Sequence, residues 1–231
     1  MSEIKTPFLT VNPKSYLYGD ASLELALAAD RTAEETGVPI YFTCPFTDIR
    51  MIKERTKHVI VTAQHMDPLV PGRGMGHVLP ESLKCAGAEA VFLNHAENPL
   101  TLAVLNNTIK RAQELGMKVI AAADSVAEGC AIAKLKPDML LCEPTDLIGT
   151  GQIAGDGYIK EVVAQIRAID PDIKILVASG VTTADDVYKM IYLGADGTGA
   201  TSGILNAPDP KVRIQEMAKA VLRAARDREK G

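Results

Sequence analysis

The feature that most constrains the fold is a series of eight short apolar segments spaced along the chain. They are Phe8–Val11, Ile40–Cys44, Val59–Ala63, Val91–Asn94, Val119–Ala123, Met139–Cys142, Ile173–Ala178 and the glycine-rich Gly197–Thr201. The first seven have the length and composition of strands that are buried on both faces. Between these segments, apolar residues recur three and four positions apart, which indicates amphipathic helices. Examples are Ala21–Glu35, Leu100–Leu115 and Ile159–Ala168.

This alternation predicts an α/β fold, because parallel strands need long crossover connections that are usually helical. Eight strand–helix units in 231 residues leave just enough chain to close a (β/α)8 barrel. We therefore predict one barrel domain over residues 1–231. The alternative is an open, doubly wound sheet, which would carry a Gly-x-Gly-x-x-Gly turn after its first strand. This chain has Asn12-Pro13-Lys14-Ser15-Tyr16 at that point.

Charge and composition restrict the partners and the compartment. The formal net charge is −4, so no excess of positive charge is available for a polyanion, and we expect no nucleic-acid partner. No apolar run approaches the roughly 20 residues that span a bilayer, and we expect no membrane partner. The four cysteines are widely spaced without a Cys-x-x-Cys pair. This spacing argues against a zinc site or a disulfide framework and predicts a reducing, cytoplasmic location.

The candidate functional residues follow the predicted strands, and active sites in a barrel of this type lie at the carboxyl ends of the strands. They are Asn12 and Lys14 after the first strand, Gln64, His65 and Asp67 after the third, Asn94, His95 and Glu97 after the fourth, and Glu143 after the sixth. Taken singly, each has an ordinary structural explanation as a solvated charge or a packed histidine. Together they place an ammonium, an imidazole and a carboxylate at one rim of the predicted barrel.

The segment after the sixth strand has a further signal. Glu143 follows the apolar run directly, and Pro144 prevents a helix from starting there. The loop then closes on Gly149-Thr150-Gly151. An acid at a strand end that leads into a loop bounded by Pro and Gly is a suitable arrangement for a base beneath a lid.

Five short motifs follow one another along the chain in a specific order and spacing. They are Asn12-Pro13-Lys14, Gln64-His65-x-Asp67, Pro71-Gly72-Arg73-Gly74-Met75-Gly76-His77, Asn94-His95-Ala96-Glu97 and Glu143-Pro144-Thr145-Asp146-Leu147-Ile148-Gly149-Thr150-Gly151. Together they resemble the motifs of the triosephosphate isomerase family, and the compact length is similar to that of its archaeal branch. The likeness runs from about Phe8 to Gly203.

By this resemblance, Glu143 is the base that moves a proton between adjacent carbons of a small phosphorylated sugar. His95 polarises the carbonyl as a neutral imidazole, as in this family's known case of pKa tuning. Lys14 supplies fixed positive charge, Asn12 helps to orient the substrate, and Glu97 belongs to the same catalytic set. These residue types suit the chemistry, because enolising a carbonyl needs a base near the C–H bond and a donor aimed at the oxygen.

The resemblance also assigns the substrate's phosphate to backbone N–H groups of the late loops. The residues concerned are Gly149, Gly151, Ser179, Gly180, Ser202 and Gly203. Pro144–Gly151 becomes a lid that excludes water from the enediolate intermediate. No metal ion or other cofactor is implied. The glycine-rich loop Pro71–His77 suggests that subunits dock, so a homodimer or homotetramer is expected.

Several positions depart from the family pattern. Ala96 and Asn98 stand where the family usually has Ser and Arg, Thr145-Asp146 replaces Pro-Glu in the lid, and Met75 replaces a Thr of the docking loop. In Gly197–Thr201 an apolar strand has become glycine-rich, which leaves little side-chain volume and predicts a wider pocket.

Three functions therefore remain open at the level of sequence. The first is interconversion of dihydroxyacetone phosphate and D-glyceraldehyde 3-phosphate. The second is the same chemistry on another small phosphorylated sugar, such as a tetrulose phosphate, which the altered positions favour. The third is a barrel that uses Lys14 as a Schiff-base aldolase or that only binds a sugar phosphate. An aldolase lysine usually lies in an apolar strand interior, whereas Lys14 lies beyond a strand.

Overall fold

The computed structural model describes residues 3–144, 155–178 and 180–230. Eight parallel strands form a closed barrel in which each strand pairs with its neighbours in chain order and the last pairs with the first. The strands are β1 (Phe8–Val11), β2 (Ile40–Cys44), β3 (Val59–Ala63), β4 (Ala90–Leu93), β5 (Lys118–Ala123), β6 (Met139–Cys142), β7 (Lys174–Val177) and β8 (Gly197–Ala200). The prediction of a (β/α)8 barrel is confirmed, and the open-sheet alternative is wrong.

Helices cover the outside of the barrel. Those within the described residues are α1 (Gly19–Thr36), α2 (Ile49–Arg55), α3 (Pro80–Ala86), α4 (Leu102–Glu114), α5 (Val126–Ala133), α6 (Asp156–Ile169), α7 (Ala184–Tyr192), α8 (Ser202–Leu205) and α9 (Pro210–Arg228). A short 3-10 turn, Phe46–Asp48, leads into α2. In this part of the chain, no helix is both long and apolar enough to cross a membrane.

Local chemistry fixes where several helices begin and end. The Thr101 hydroxyl accepts a hydrogen bond from the Val104 N–H and starts α4. At α7, Thr183 and Asp186 form a reciprocal capping box. Gly37, at φ 71°, ends α1 in the left-handed conformation that glycine adopts without strain. These signals set where each helix begins or ends in the connections between the strands.

The core has two layers, one between the strands and the helices and one inside the barrel. The inner layer is filled by large side chains, among them Phe8, Tyr41, Phe92, Leu141 and Leu176. The rings of Phe8 and Tyr41 meet edge to face, with centroids 5.2 Å apart. The barrel is therefore packed at its centre, and a cavity can form only at its ends.

The glycines of β8 are explained by the side chains of β1. The two strands pair in the register Phe8 to Gly197 and Thr10 to Gly199. A Cβ on Gly197 would overlap the Phe8 ring, with Cδ2 only 2.6 Å away. A Cβ on Gly199 would overlap the Oγ1 and the carbonyl oxygen of Thr10. The volume missing from β8 is thus supplied by β1, and the expected widening of the pocket at this strand is wrong.

Replacing Gly197 by Ala should therefore destabilise the fold. Because the Phe8 ring is fully buried, it cannot move aside freely, and overpacking of this kind costs about 1–3 kcal/mol. The free energy of unfolding from denaturant titration measures the loss. Gly157→Ala in α6 is the matched control, since a Cβ there meets nothing within 4 Å. It should leave stability unchanged or raise it slightly. Equal effects of the two substitutions would contradict this packing account.

Candidate active site

A cavity of about 310 Å³ opens at the carboxyl ends of the strands. Its lining brings together the five residues predicted to be catalytic, Asn12, Lys14, His95, Glu97 and Glu143. They come from the ends of β1, β4 and β6, which lie far apart in sequence. Two residues of the predicted phosphate site, Gly180 and Ser202, line the same cavity. The arrangement follows from closure of the barrel, which turns all the strand ends to one mouth.

Lys14 is held in an uncommon backbone conformation just after β1, with φ 49°. Its N–H donates to Oδ1 of Asn12 at 2.9 Å, and its carbonyl accepts from Nε2 of Gln64 at 2.8 Å. The ammonium then contacts Glu97, with Nζ and Oε1 2.6 Å apart. A non-glycine residue at positive φ costs energy that the surrounding contacts must offset. Here the two flanking amides fix the backbone and so aim the charge into the cavity.

His95 is positioned by the residue before it. Asn94 has φ 57°, donates to the Ala122 carbonyl at 2.9 Å and accepts from the Leu100 N–H at 2.8 Å. The Nδ1 atom of His95 accepts the Glu97 N–H at 3.1 Å, so Nδ1 carries no proton. In a neutral imidazole the proton must then be on Nε2. That nitrogen lies 3.9 Å from Oε2 of Glu143.

Glu143 continues the sheet by one residue, because its N–H donates to the Ala123 carbonyl at 2.9 Å. Its side chain is only 18% exposed. Burial raises the pKa of the Glu143 carboxyl above its usual range, Lys14 opposes the shift, and Glu97 adds to it. A carboxylate in such a place is a stronger base than one in water.

The pKa of His95 moves in the opposite direction. Burial lowers it first, the positive charge of Lys14 lowers it further, and Glu97 opposes both. The lowered pKa of His95 favours the neutral imidazole that donates from Nε2, and the raised pKa of Glu143 makes its carboxylate a stronger base. In such a pair, the base can remove a proton from the carbon next to a carbonyl group. The uncharged donor can stabilise the negative charge that develops on the carbonyl oxygen.

The predicted phosphate residues are only partly described. Gly180, at φ 68°, and Ser202, the first residue of α8, line the cavity. Gly203 lies behind the surface, where a Cβ would lie 2.5 Å from Cα of Thr182, so α8 can approach this loop only with glycine there. Gly149, Gly151 and Ser179 lie outside the described residues, as does the predicted lid Pro144–Gly151 beyond Pro144.

Thr10 and Tyr16 also line the cavity, although the strand-end pattern had not indicated them. A signal for Thr10 exists in the sequence. Side chains two apart on a strand share a face, so Thr10 must face the same way as Asn12 if Asn12 faces inward. Among residues 3–144, 155–178 and 180–230, no group of three His, Cys, Asp or Glu side chains is placed to share a metal ion.

Comparison with known proteins identifies the family. A family model described as triosephosphate isomerase matches residues 7–221. The chain belongs to the triosephosphate isomerase family. The triosephosphate isomerase of Methanocaldococcus jannaschii is 33% identical over 218 residues, covering 92% of this chain and 99% of that protein. The enzyme of Methanobacterium bryantii is 34% identical, covering 96% and 100%. That of Sulfurisphaera tokodaii is 33% identical, covering 98% and 100%.

Membership of the triosephosphate isomerase family gives the cavity a testable pH dependence. Glu97→Gln removes a negative charge that raises the pKa values of both Glu143 and His95. Both pKa values should fall, so the acid limb of the kcat/KM profile should move to lower pH. Because the Glu97 side chain is 62% exposed, solvent screening should keep this shift small.

The matched control is Glu89→Gln, which breaks a Lys53–Glu89 ion pair of the same 2.6 Å length. Glu89 lies before β4, away from the cavity. The control should leave the profile in place. A shift of the acid limb to higher pH in Glu97→Gln would contradict the charge arrangement.

Proposed function

We propose that this member of the triosephosphate isomerase family interconverts dihydroxyacetone phosphate and D-glyceraldehyde 3-phosphate. The observation that carries the proposal is the pair of Glu143 and His95, with Oε2 and Nε2 3.9 Å apart at the cavity. Burial shifts the pKa of the carboxyl up and that of the imidazole down. When the pKa values of two neighbouring groups shift in opposite directions, one group can act as the base and the other as a neutral electrophile. This pattern is already known in this enzyme family.

In the proposed reaction, Glu143 removes a proton from the carbon beside the carbonyl group. The electron pair of the C–H bond moves into the new C=C bond, and the carbonyl oxygen becomes negatively charged. His95 donates from Nε2 to that oxygen, and Lys14 adds positive charge nearby. Glu143 then returns the proton to the neighbouring carbon, using the electron pair of the C=C bond. The proton of the original hydroxyl group passes to the former carbonyl oxygen, and the original hydroxyl oxygen becomes the new carbonyl oxygen. Electrons and atoms balance within the substrate, so the step needs no external oxidant or reductant.

The phosphate site is part of the same proposal. The first turn of a helix leaves N–H groups without intrahelical partners, and α8 begins with Ser202 at the cavity and Gly203 directly behind it. Gly180 presents its backbone from the end of β7. We assign the phosphate to these groups together with Gly149, Gly151 and Ser179. Lys14 neutralises part of the dianion's charge.

A coupled assay with purified protein tests the function. The expected result is turnover of both triose phosphates, with exchange of one solvent deuteron into the product carbon that Glu143 protonates. Turnover of a tetrulose phosphate with higher kcat/KM than the triose would replace the substrate but keep the chemistry. Trapping with borohydride distinguishes the aldolase alternative. A stable adduct on Lys14 would overturn the isomerase proposal.

We further propose that the chain forms a homodimer or homotetramer. Met75, at the tip of the glycine-rich loop, has a fully exposed side chain. A second cavity of about 230 Å³ lies beside Lys14 and Glu97. It is lined by Thr43 and His65, whose buried Oγ1 and Nδ1 atoms have no hydrogen-bond partner among the described residues. The Met75 loop of a second copy would fill this cavity and support the Lys14–Glu97 pair.

A cytoplasmic location remains a prediction.

Met75→Glu should dissociate the oligomer, because the docked side chain would bury an unpaired charge. Sedimentation velocity should then give a lower mass than for the unaltered chain, and isomerase activity should fall with it. Val212→Glu is the control, since Val212 is 48% exposed on α9, away from the loop. A Met75→Glu variant that keeps the same mass would exclude the loop as the docking element.

A further inference from the structure

One polar side chain lies on the floor of the active-site cavity, the floor being the strand residues that line it. These are Thr10 of β1, Phe92 of β4, Leu141 of β6, Leu176 of β7, and Gly199 and Ala200 of β8. Thr10 alone among these described residues carries a hydrogen-bonding side chain. It lies two residues before Asn12 and so faces the same side of its strand, directly below the proposed catalytic groups.

The position of the Thr10 hydroxyl depends on Gly199. The two residues pair across the β1–β8 seam that closes the barrel. A Cβ on Gly199 would overlap the Thr10 Oγ1 and lie 2.9 Å from its Cβ. The hydroxyl therefore occupies the space that a side chain from β8 would otherwise fill. Thr10 therefore places a polar hydroxyl on the floor of the cavity. An aliphatic side chain on β8 would have placed an apolar carbon atom there.

This hydroxyl has no protein partner. Thr10 is only 4% exposed, yet no group among the described residues hydrogen-bonds to its side chain. Thr62, which is buried in β3, donates to the Ile60 carbonyl at 3.1 Å, and Thr108 of α4 donates to the Val104 carbonyl at 2.8 Å. Thr10 lines the cavity, so its hydroxyl is available to a ligand oxygen there.

We propose that the Thr10 hydroxyl binds the terminal oxygen of the substrate, the oxygen on the carbon farthest from the phosphate. This inference rests on the proposed function, which puts the phosphate at Gly180 and Ser202 and the reacting carbons between Glu143 and His95. The terminal carbon is one of these two reacting carbons, and its oxygen then points to the floor. A hydroxyl both donates and accepts, so Thr10 serves that oxygen as an alcohol in the ketose and as a carbonyl in the aldose. Thr10 thereby selects sugar phosphates that are oxygenated at this end.

Two competitive inhibitors test the contact on the full chain. Glycerol 3-phosphate carries the terminal hydroxyl, and propane-1,2-diol 1-phosphate lacks only that group. Thr10→Val removes the protein hydroxyl and keeps the side chain's shape. It should raise the inhibition constant for glycerol 3-phosphate by about five- to tenfold, the value of one hydrogen bond. The constant for the deoxy compound should change little.

Thr10→Ser keeps the hydroxyl and should retain the preference of the unaltered enzyme for glycerol 3-phosphate. Should Thr10→Val fail to fold, Thr10→Ala provides the same comparison, because each variant is judged by the ratio of its two inhibition constants. An equal change for both inhibitors, or none, would overturn the Thr10 contact while leaving the proposed function intact. If neither compound inhibits and triose phosphates are not turned over, the proposed function fails, and the inference fails with it.

Discussion

Glu143→Asp is expected to lower kcat by roughly a hundredfold or more while changing KM much less, because a displacement of about 1 Å can cost that factor. Shortening the side chain by one methylene withdraws the carboxylate from the substrate carbon. The Glu143 backbone cannot follow, since its N–H is bonded to the Ala123 carbonyl at 2.9 Å. Substrate binding depends on other groups, so the loss should fall on the proton-transfer step. Steady-state kinetics with dihydroxyacetone phosphate measures both constants.

The same shortening at Glu161 provides the control. Glu161 lies on the exposed face of α6 and accepts a hydrogen bond from Gln165 at 3.0 Å, outside the cavity. Glu161→Asp should retain the kinetics of the unaltered enzyme. A variant at position 143 with normal turnover would remove this carboxylate from the mechanism. A rise in KM with unchanged kcat would instead make Glu143 a substrate-binding residue.

The fold was predictable because seven of the eight strands are short apolar runs and the connections have helical spacing. The observed bounds differ from the predicted ones by about one residue, as for β7, which was predicted as Ile173–Ala178 and is Lys174–Val177. Closure of the ring then places Lys14, His95 and Glu143 at one mouth. These residues could be found from sequence because each lies within three residues of the end of a strand.

Other features depend on contacts between distant segments that no local pattern encodes. The glycines of β8 suggested missing volume, but Phe8 and Thr10 of β1 supply it across the closing seam. Likewise, the proton position on His95 follows from a hydrogen bond to the Glu97 N–H, which depends on the fold of that loop. Gln64 was noted as a strand-end residue, and only the structure gives its contact with the Lys14 carbonyl.

Lys14→Met is expected to lower kcat/KM by on the order of a hundred- to a thousandfold, the usual effect of removing one group that stabilises a developing oxyanion. It should also move the acid limb of the pH profile upward. Lys14 lowers the pKa values of both groups. At Glu143 this opposes the effect of burial, and at His95 it adds to the effect of burial. Without its charge both pKa values rise, so Glu143 becomes protonated and His95 becomes charged at a higher pH than before.

Lys14→Arg separates the charge from the geometry. The guanidinium keeps the positive charge and should return the acid limb toward its original pH. Its larger planar head cannot take the place of a compact ammonium that contacts Glu97 at 2.6 Å, so turnover should stay low. Lys53→Met, which breaks the Lys53–Glu89 pair outside the cavity, should change neither property.

The pH profile of Lys14→Met also decides between electrostatic and covalent roles for this lysine. In an aldolase, Lys14 would form a Schiff base, and the Met and Arg variants would lose activity together with no residual rate whose pH dependence could shift. In the isomerase, a residual rate persists because Glu143 and His95 remain, and its acid limb lies above that of the unaltered enzyme. An acid limb that stays in place or moves downward would contradict the charge coupling between Lys14 and the two proposed catalytic groups.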